Sequence, residues 1–331
     1  MAASVVIVGV VIYVKEIITF IQGIDRFSKF YDYNLERHGS PRMKQPFIYL
    51  TQTEKCLPPN LATSSQIGDP ETCNCDAIVL SWRAKCGEYN HSHVSYLFDP
   101  NAGWISGRNL LFFAAMERRP GYHYYIFLDD DAVLKYNEFT PVDMTKLSPW
   151  RVVEKWLLDY EPAVGVLHYN FHHGASVVLN RRQDLCGIND TSLVLPTVYF
   201  DSVFNAFHHK AVEHILPYPT QYEHLSWYGI NIHVVATVEV KFPGQTLLYA
   251  AVTAGNPKHR GYERTTRYLT NMSREFIEEI RQQAPPELRN HVLFKELHKS
   301  PRGYLEHSHT FCLNVTRQQP IIPYRYLLRE G

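Results

Sequence analysis

The segment YYIFLDDDAVL, residues 124–134, places three consecutive aspartates directly after one of the most apolar runs in the chain: Asp129, Asp130 and Asp131. A short apolar run bounded by polar residues is typical of a strand buried inside a sheet. Like charges a few ångström apart raise each other's pKa, so three carboxylates at the end of such a strand are unfavourable unless a cation offsets them. We therefore expect the strand to end where a cation or a ligand can reach it.

The elements predicted before the aspartates follow the order of an α/β fold. Three short apolar runs have the buried-strand pattern: 47–52, 76–82 and 94–99. Apolar residues at helical spacing follow over 106–119, and Pro120 and Gly121 end that helix. The order strand, loop, strand, strand, helix, strand favours a largely parallel sheet.

The second half of the chain predicts three more helices and several strands. Ser148 as N-cap and Pro149 at the first helical position indicate a helix that Pro162 ends. Asp201 is expected to cap a helix that ends at Pro217, and Ser273 a helix over 273–290. The expected strands are 163–170, 174–182, 232–240 and 246–252.

The aspartates themselves predict a metal site. In a parallel sheet, ligands bind outside the carboxyl ends of the strands. Mg²⁺ and Mn²⁺ prefer one or two carboxylates together with substrate phosphate oxygens, and residues two apart across a turn can point to the same ion. We assign Asp129 and Asp131 to this ion; a polar turn that closes the strand is the alternative.

The overall charge of the chain is balanced. Lys plus Arg equals Asp plus Glu, at 33 each, so no overall field attracts the protein to nucleic acid or to an acidic membrane surface. The partner therefore has to be read from a local site.

Residues 1–24 are predicted to be a signal-anchor or a signal segment. Residues 2–14 are apolar or small, and counting through Ile24 gives the length of a membrane span with one charged pair inside it. A buried first helix of a soluble domain is the alternative. The polar, aperiodic residues 25–46 predict a short stem.

Sequons and cysteines favour a secretory route. Four N-glycosylation sequons begin at Asn90, Asn189, Asn271 and Asn314. The six cysteines are even in number and four lie within residues 56–86, which is typical of loops held by disulfides, although the pairing stays open. Cys73 and Cys75 lack the two-residue spacer that zinc sites usually have.

The segment YYIFLDDDAVL resembles the Asp-x-Asp motif of nucleotide-sugar-dependent glycosyltransferases with the GT-A fold. That family places its motif roughly eighty residues after the first strand, and 82 residues separate Phe47 from Asp129 here. The resemblance implies a catalytic domain over 47–331, with a Rossmann-like nucleotide-sugar half over 47–140 and a mixed acceptor half over 141–331.

The resemblance also implies the cofactors and their ligands. Mn²⁺ or Mg²⁺ would be held by Asp129 and Asp131 and would neutralise the leaving nucleoside diphosphate, with Asp129 and Asp130 toward the nucleotide. His259 is expected to complete the metal site, with His307 and His309 as alternatives. The donor is expected to be a UDP- or GDP-linked sugar, and the acceptor a glycan, protein or lipid.

Two further roles follow from the resemblance. In similar enzymes the helix before the motif helps to hold the nucleotide, and Arg108 and Asn109 at its N-terminus suit a diphosphate or a uracil edge. If transfer inverts the anomeric centre, a carboxylate must accept the proton of the acceptor hydroxyl. Asp201 is the expected base, with Glu223 and Asp184 as alternatives.

The expected location is the Golgi or endoplasmic reticulum membrane, as a type II protein with a lumenal catalytic domain; secretion is the alternative.

Two other functions use the same residues. A haloacid dehalogenase-like phosphatase would use Asp129 as nucleophile and Asp131 as acid and base around Mg²⁺, but it carries this motif on its first strand. A non-catalytic, glycan-binding module would bind Ca²⁺, but no short segment supplies the six to eight oxygens that Ca²⁺ takes.

Overall fold

The computed structural model describes residues 46–68, 70–87, 91–118, 121–169, 175–188, 192–258, 269–300 and 312–329. Several expectations fall outside them: the signal-anchor at 1–24, the stem apart from Pro46, and the histidines His259, His307 and His309. Helices pack against both faces of one central sheet, which confirms the predicted α/β class.

The described residues form a nine-stranded sheet and eight α-helices. The strands are β1 (Phe47–Thr53), β2 (Cys75–Ser81), β3 (Val94–Phe98), β4 (Tyr124–Asp129), β5 (Val133–Tyr136), β6 (Val164–Tyr169), β7 (Val194–Pro196), β8 (Phe204–His208) and β9 (Thr246–Gly255). The helices are α1 (Pro70–Cys73), α2 (Trp104–Met116), α3 (Pro149–Tyr160), α4 (Ala175–Cys186), α5 (Val212–Ile215), α6 (Trp227–Lys241), α7 (Leu269–Gln283) and α8 (Val292–Lys299). The four strands and the helix predicted up to the aspartates are therefore confirmed.

The direction of β8 determines which residues meet. The order across the sheet is β3-β2-β1-β4-β8-β6-β9-β5, with β7 paired to β9. Strands β1, β2, β3, β4, β6 and β9 run in one direction, and β8 is antiparallel to both of its neighbours. Leu128 pairs with Phe204 and Tyr124 with His208. The start of β8 thus lies beside the end of β4, and the end of β8 beside the start of β4.

Two apolar layers enclose the sheet. Alternate residues of a strand face opposite sides, so Ile48 and Leu50 belong to one layer and Phe47 and Tyr49 to the other. Helices α2, α6 and α7 contribute to the first layer and α3 to the second. Burial on both faces explains why these strands read as continuous apolar runs.

Helix α3 begins and ends where the sequence predicts. The hydroxyl of Ser148 accepts a hydrogen bond from the N–H of Arg151 at 3.4 Å, and Pro149 is the first helical residue. The helix ends at Tyr160, and Glu161 follows in the left-handed conformation with φ 47°.

The helix predicted from Asp201 to Pro217 is wrong. Residues Phe204–His208 form β8, and only Val212–Ile215 is helical. All five residues of β8 are buried between β4 and β6, so pairing inside the sheet outweighs the helical spacing of the apolar residues. Asp201 caps no helix; its Oδ1 accepts a hydrogen bond from the N–H of Val203 at 2.9 Å in the turn before β8.

Two predicted strands are helices instead. Residues 232–240 belong to α6. The β-branched residues of this segment favour a strand by propensity. They are buried, as in a helix that is enclosed by protein; examples are Ile232, Val235 and Val238. The strand predicted over 174–182 falls on α4. Leu179 and Arg182, three residues apart, face inward, and Gln183 is exposed, so the inward residues have helical spacing.

Helix α7 begins earlier than predicted. It starts at Leu269, so Ser273 is a buried residue inside the helix and not its cap.

Three disulfides pair all six cysteines: Cys56–Cys86, Cys73–Cys75 and Cys186–Cys312. The first two hold the loops around β2, and the third joins the end of α4 to the C-terminal segment. Within the described ranges, none of the helices has the length and hydropathy that crossing a membrane requires.

The buried His233 should make the stability of the fold sensitive to acid. It lies in α6, is 7% exposed and packs against the ring of Phe276, and burial lowers its pKa to about 3. Since a histidine in the unfolded chain titrates near 6.5, only the unfolded state binds this proton between these two pH values. The free energy of unfolding therefore falls as the pH falls below about 6.5, by up to roughly 1.4 kcal/mol per pH unit from this group.

Replacing His233→Leu should remove this share of the acid sensitivity. Urea unfolding at several pH values between about 4 and 7 measures it, with the exposed His224→Gln as the matched control. Equal pH dependence in the wild type and His233→Leu would show that folding does not lower the pKa of His233.

Candidate active site

Four aspartates meet at one edge of the sheet. Strands β4, β6 and β9 end at this edge, and the antiparallel β8 begins there. Asp129 is the last residue of β4 and Asp201 lies in the turn before β8, and the N–H of Asp129 donates to the carbonyl oxygen of Val203 at 3.2 Å. We call Asp129, Asp130, Asp131 and Asp201 the carboxylate cluster.

Asp129 is held from two sides. Its Oδ1 accepts a hydrogen bond from Arg108 at 3.1 Å, and its Oδ2 accepts one from the side-chain amide of Asn256 at 3.3 Å. The side chain keeps 25% of its surface exposed. Asp129 is therefore fixed in orientation but still reachable from outside.

Ionisation of the Asp129 carboxyl group is unfavourable at this position. Burial raises its pKa to about 6; Arg108 opposes this rise, and the negative charges of Asp201, Asp131 and Asp130 add to it. Asp201, in the turn before β8, thus acts on Asp129 together with Asp130 and Asp131. A divalent cation beside these groups would relieve the repulsion that a single guanidinium does not.

The turn after β4 is supported by contacts from two other segments. Asp131 accepts a hydrogen bond on Oδ2 from the backbone N–H of Lys258 at 2.8 Å. The amide of Asn60 donates to the carbonyl oxygens of Asp130 and Ala132 at 3.3 and 3.4 Å. The loops after β1 and β9 therefore hold the turn in place.

Tyr169 and Asn256 are site residues that the sequence analysis missed. The hydroxyl of Tyr169, at the end of β6, donates to Oδ1 of Asn256 at 2.8 Å. Burial, together with the negative charges of Asp201 and Asp129, raises the pKa of Tyr169 to about 12, so this hydroxyl stays protonated. Both residues sit at the carboxyl ends of strands parallel to β4, which is the signal that would have found them.

Arg108 is internal. Its side chain is 3% exposed, its guanidinium stacks on the ring of Trp104 at 4.1 Å, and it donates to Asp129 and to the carbonyl oxygen of Ser202. In this structure Arg108 therefore orients an aspartate of the cluster. Direct contact of Arg108 with a nucleotide stays a prediction.

Asn109 has a packing role. Its side-chain amide donates to the carbonyl oxygen of Tyr218 at 2.8 Å, and its Oδ1 accepts from the N–H of the same residue at 2.7 Å. Both polar atoms are engaged inside the fold, which accounts for Asn109 without a nucleotide.

An internal carboxylate occupies the N-terminus of α2. A diphosphate or a uracil edge was expected near this terminus, but Oε1 of Glu223 accepts hydrogen bonds from the N–H groups of Ile105 and Ser106, each at 2.9 Å. Glu223, an alternative base in the sequence analysis, is therefore a helix cap. Asp184, the other alternative, is exposed on α4.

The residues present fit Mn²⁺ or Mg²⁺. Both ions take hard oxygen ligands, and the carboxylate cluster concentrates such oxygens at the open edge of the sheet. Asp129 and Asp131 lie two residues apart across the turn, as the metal prediction requires. The third predicted ligand, His259, lies outside the described residues.

Comparison with known proteins gives weak similarities. No protein-family profile matches the chain, and no curated protein matches it. Mannosyltransferase PcManGT from Pyrobaculum calidifontis, in complex with GDP-Man and Mn2+, has a TM-score of 0.43 and 10% identity, covering 86% of this chain and 79% of that one. GalNAc-T7 with UDP, GalNAc and Mn2+ has a TM-score of 0.43 and 10% identity, covering 81% of this chain and 57% of that one.

The galactosyltransferase LgtC in complex with donor and acceptor sugar analogs has a TM-score of 0.33 and 12% identity, covering 73% of this chain and 99% of that one. At such low TM-scores and identities, we infer nothing about the chemistry of this chain from these three structures.

Removing the Glu223 carboxylate should weaken the fold. Glu223→Ala leaves the first N–H groups of α2 without their acceptor, so we expect the free energy of unfolding to fall by about 1–2 kcal/mol in urea unfolding. The exposed Glu213→Ala on α5 is the matched control and should change it by less than about 0.5 kcal/mol. An unchanged free energy of unfolding in Glu223→Ala would contradict the capping role.

Proposed function

We propose that this protein is a metal-dependent glycosyltransferase. It transfers a hexose or an N-acetylhexosamine from a UDP- or GDP-linked donor to a glycan, protein or lipid acceptor. The observation that carries this proposal is the carboxylate cluster at the open carboxyl edge of the sheet, where burial and three neighbouring aspartates raise the pKa of Asp129 to about 6. An edge of this kind favours a divalent cation with a phosphate-bearing ligand.

Asp129 and Asp131 would hold Mn²⁺ or Mg²⁺. The bound ion would supply positive charge to the diphosphate as it leaves. Arg108 and Asn256 keep the carboxylate of Asp129 in place, and Tyr169 keeps Asn256 in place by donating to its Oδ1. These contacts orient Asp129 as a ligand.

Asp201 is the proposed base for an inverting transfer. One of its oxygens accepts from the N–H of Val203, which fixes the carboxylate at the cluster. In the transfer, the acceptor oxygen bonds to the anomeric carbon, the bond from that carbon to the diphosphate breaks, and the acceptor hydroxyl proton passes to Asp201. Asp130 faces the nucleotide in this proposal.

We place the catalytic domain in the lumen of the Golgi or endoplasmic reticulum, attached through the N-terminal segment as a type II membrane protein. Three disulfides support an oxidising compartment, and two sequon asparagines, Asn271 and Asn314, are exposed.

The phosphatase alternative is less favoured. It requires the aspartates on the first strand of the domain, and Asp129 ends the fourth strand of the described chain. The carboxylate oxygens of Asp129 also accept hydrogen bonds from Arg108 and Asn256, which lowers their strength as nucleophiles.

A panel of nucleotide sugars tests the proposal. With Mn²⁺, one donor should release its nucleoside diphosphate, and EDTA should abolish this. Asp131→Asn should reduce the rate by about 100-fold or more and remove the thermal stabilisation by Mn²⁺ plus the nucleoside diphosphate, because a metal ligand is lost. Asp159→Asn, at a surface aspartate paired with Lys155, is the control and should keep both.

If no donor binds or is hydrolysed, and phosphatase activity is present and disappears in Asp129→Asn, the protein is not a glycosyltransferase.

Asp201→Asn separates the two roles that this aspartate could have. Asparagine keeps the side-chain oxygen that accepts from Val203, so the turn before β8 should stay intact. As the base is lost, kcat should fall by about 10²-fold or more, while the affinity for Mn²⁺ and the nucleoside diphosphate changes little. Asp184→Asn on the exposed side of α4 is the control. A loss of Mn²⁺ affinity in Asp201→Asn would instead make Asp201 a metal ligand.

A further inference from the structure

Three histidines meet at the opposite end of the β4–β8 pair from the carboxylate cluster. His123 directly precedes β4, His208 is the last residue of β8, and His209 follows it. The N–H of His209 donates to the carbonyl oxygen of His123 at 3.0 Å. The imidazole centroids lie 4.2 Å apart for His208 and His209, 4.7 Å for His123 and His208, and 5.1 Å for His123 and His209.

The central imidazole has an unused nitrogen. His208 is 1% exposed, and its Nε2 has no hydrogen-bond partner in the part of the chain that the structure describes. Its Nδ1 accepts a hydrogen bond from the N–H of Lys210 at 3.2 Å. A buried imidazole nitrogen without a partner is costly, and a ligand at Nε2 would remove that cost.

A carboxylate orients the second imidazole. Glu161, the residue after α3, accepts from Nε2 of His123 at 3.0 Å. This contact places the ring proton on Nε2 and leaves the lone pair on Nδ1. Histidines that bind a metal commonly donate their other N–H to a carboxylate in this way.

The three rings offer ligand atoms close enough for one ion. One nitrogen from each histidine lies within 4.8 Å of the others. A tetrahedral Zn²⁺ with bonds of about 2.0–2.1 Å needs nitrogens roughly 3.3 Å apart, so the rings must move inward by about an ångström. His209 is exposed and His123 is 26% exposed, so both can make this adjustment.

We propose that His123, His208 and His209 form a transition-metal site of the Zn²⁺ class, with Glu161 as the carboxylate that orients His123. Three neutral imidazoles suit Zn²⁺, Co²⁺, Ni²⁺ or Cu²⁺ and not the hard ions expected at the carboxylate cluster. The exposed side of His209 leaves the fourth position to water or to a group from outside. Because the ion joins the start of β4, the end of β8 and the residue after α3, it stabilises the fold.

Binding has one identifiable cost. Coordination through Nε2 of His208 requires the ring proton on Nδ1, so the N–H of Lys210 must turn away from that atom. Lys210 is exposed, and water can then accept from its N–H. A single hydrogen bond of 3.2 Å is lost in exchange for three metal–nitrogen bonds.

The site is separate from the carboxylate cluster. Tyr124 to Asp129 spans the whole of β4, which at about 3.3 Å per residue separates the two sites by roughly 17 Å. The carboxylate cluster suits hard ions such as Mg²⁺, whereas the three histidines suit ions of the Zn²⁺ class. Each site can therefore be tested while the other is disabled.

Titration calorimetry with Zn²⁺ tests the proposal, using the full chain with Asp129→Asn and Asp131→Asn as background to suppress binding at the cluster. We expect one Zn²⁺ to bind with an affinity that falls at least about tenfold in His209→Gln and in His123→Gln, and by about tenfold in Glu161→Gln. His214→Gln, an exposed histidine on the neighbouring α5, is the matched control and should bind as the background protein does.

Two further measurements guard against misfolding and against sites elsewhere in the chain. Circular dichroism of each variant must match the background protein; His209 and His123 are near the surface, so their replacement should leave the fold intact. The visible absorption bands of the Co²⁺-loaded protein should disappear in His209→Gln and persist in His214→Gln. Zn²⁺ binding unaffected by His209→Gln and His123→Gln, or no binding at micromolar Zn²⁺, would overturn the proposal.

Discussion

The antiparallel insertion of β8 between β4 and β6 is the constraint on which the rest of the structure depends. Because β8 runs against its neighbours, the turn before it brings Asp201 to the end of β4, where Asp129 lies. The same pairing carries His208 and His209 to the start of β4, next to His123. A parallel strand in this position would separate both groups. One ladder of backbone hydrogen bonds therefore assembles acidic groups at one edge of the sheet and imidazoles at the other.

The balance of charges around Asp129 decides what the acidic edge can bind. A pKa of about 6, against an ordinary value of 3.8, corresponds to roughly 3 kcal/mol that opposes ionisation of this carboxyl. The buried guanidinium of Arg108 is already included in that balance. The remaining deficit exceeds the roughly 1 kcal/mol that an exposed ion pair contributes, so a further surface lysine or arginine would not remove it. A divalent ion carries charge of the sign that would relieve this deficit.

The sequence predicted the parallel part of the fold well and the mixed part poorly. Strands up to Asp129 are buried on both faces and read as apolar runs, and α3 carries its cap at Ser148. The sequence predicts a helix where β8 lies and a strand where α6 lies. Both elements are enclosed by protein, so neither has apolar residues on one face and polar residues on the other. The position of Asp129 could be predicted because it follows a strand locally. Its contacts with Arg108 and Asn256, and the contact of Asn256 with Tyr169, join segments more than twenty residues apart, and no local pattern encodes them.

The Cys186–Cys312 disulfide encloses a long stretch of the chain that includes both Asp201 and Asn256. A single cut of the backbone anywhere inside this stretch would leave the two fragments covalently joined. Under non-reducing conditions the cut protein would migrate as one species, and only a reductant would divide it. If the cut lies between Cys186 and Asp201, Asp129 and Asp201 fall on different fragments, and once the disulfide is reduced the pairing of β8 with β4 and β6 holds the two parts of the acidic edge together.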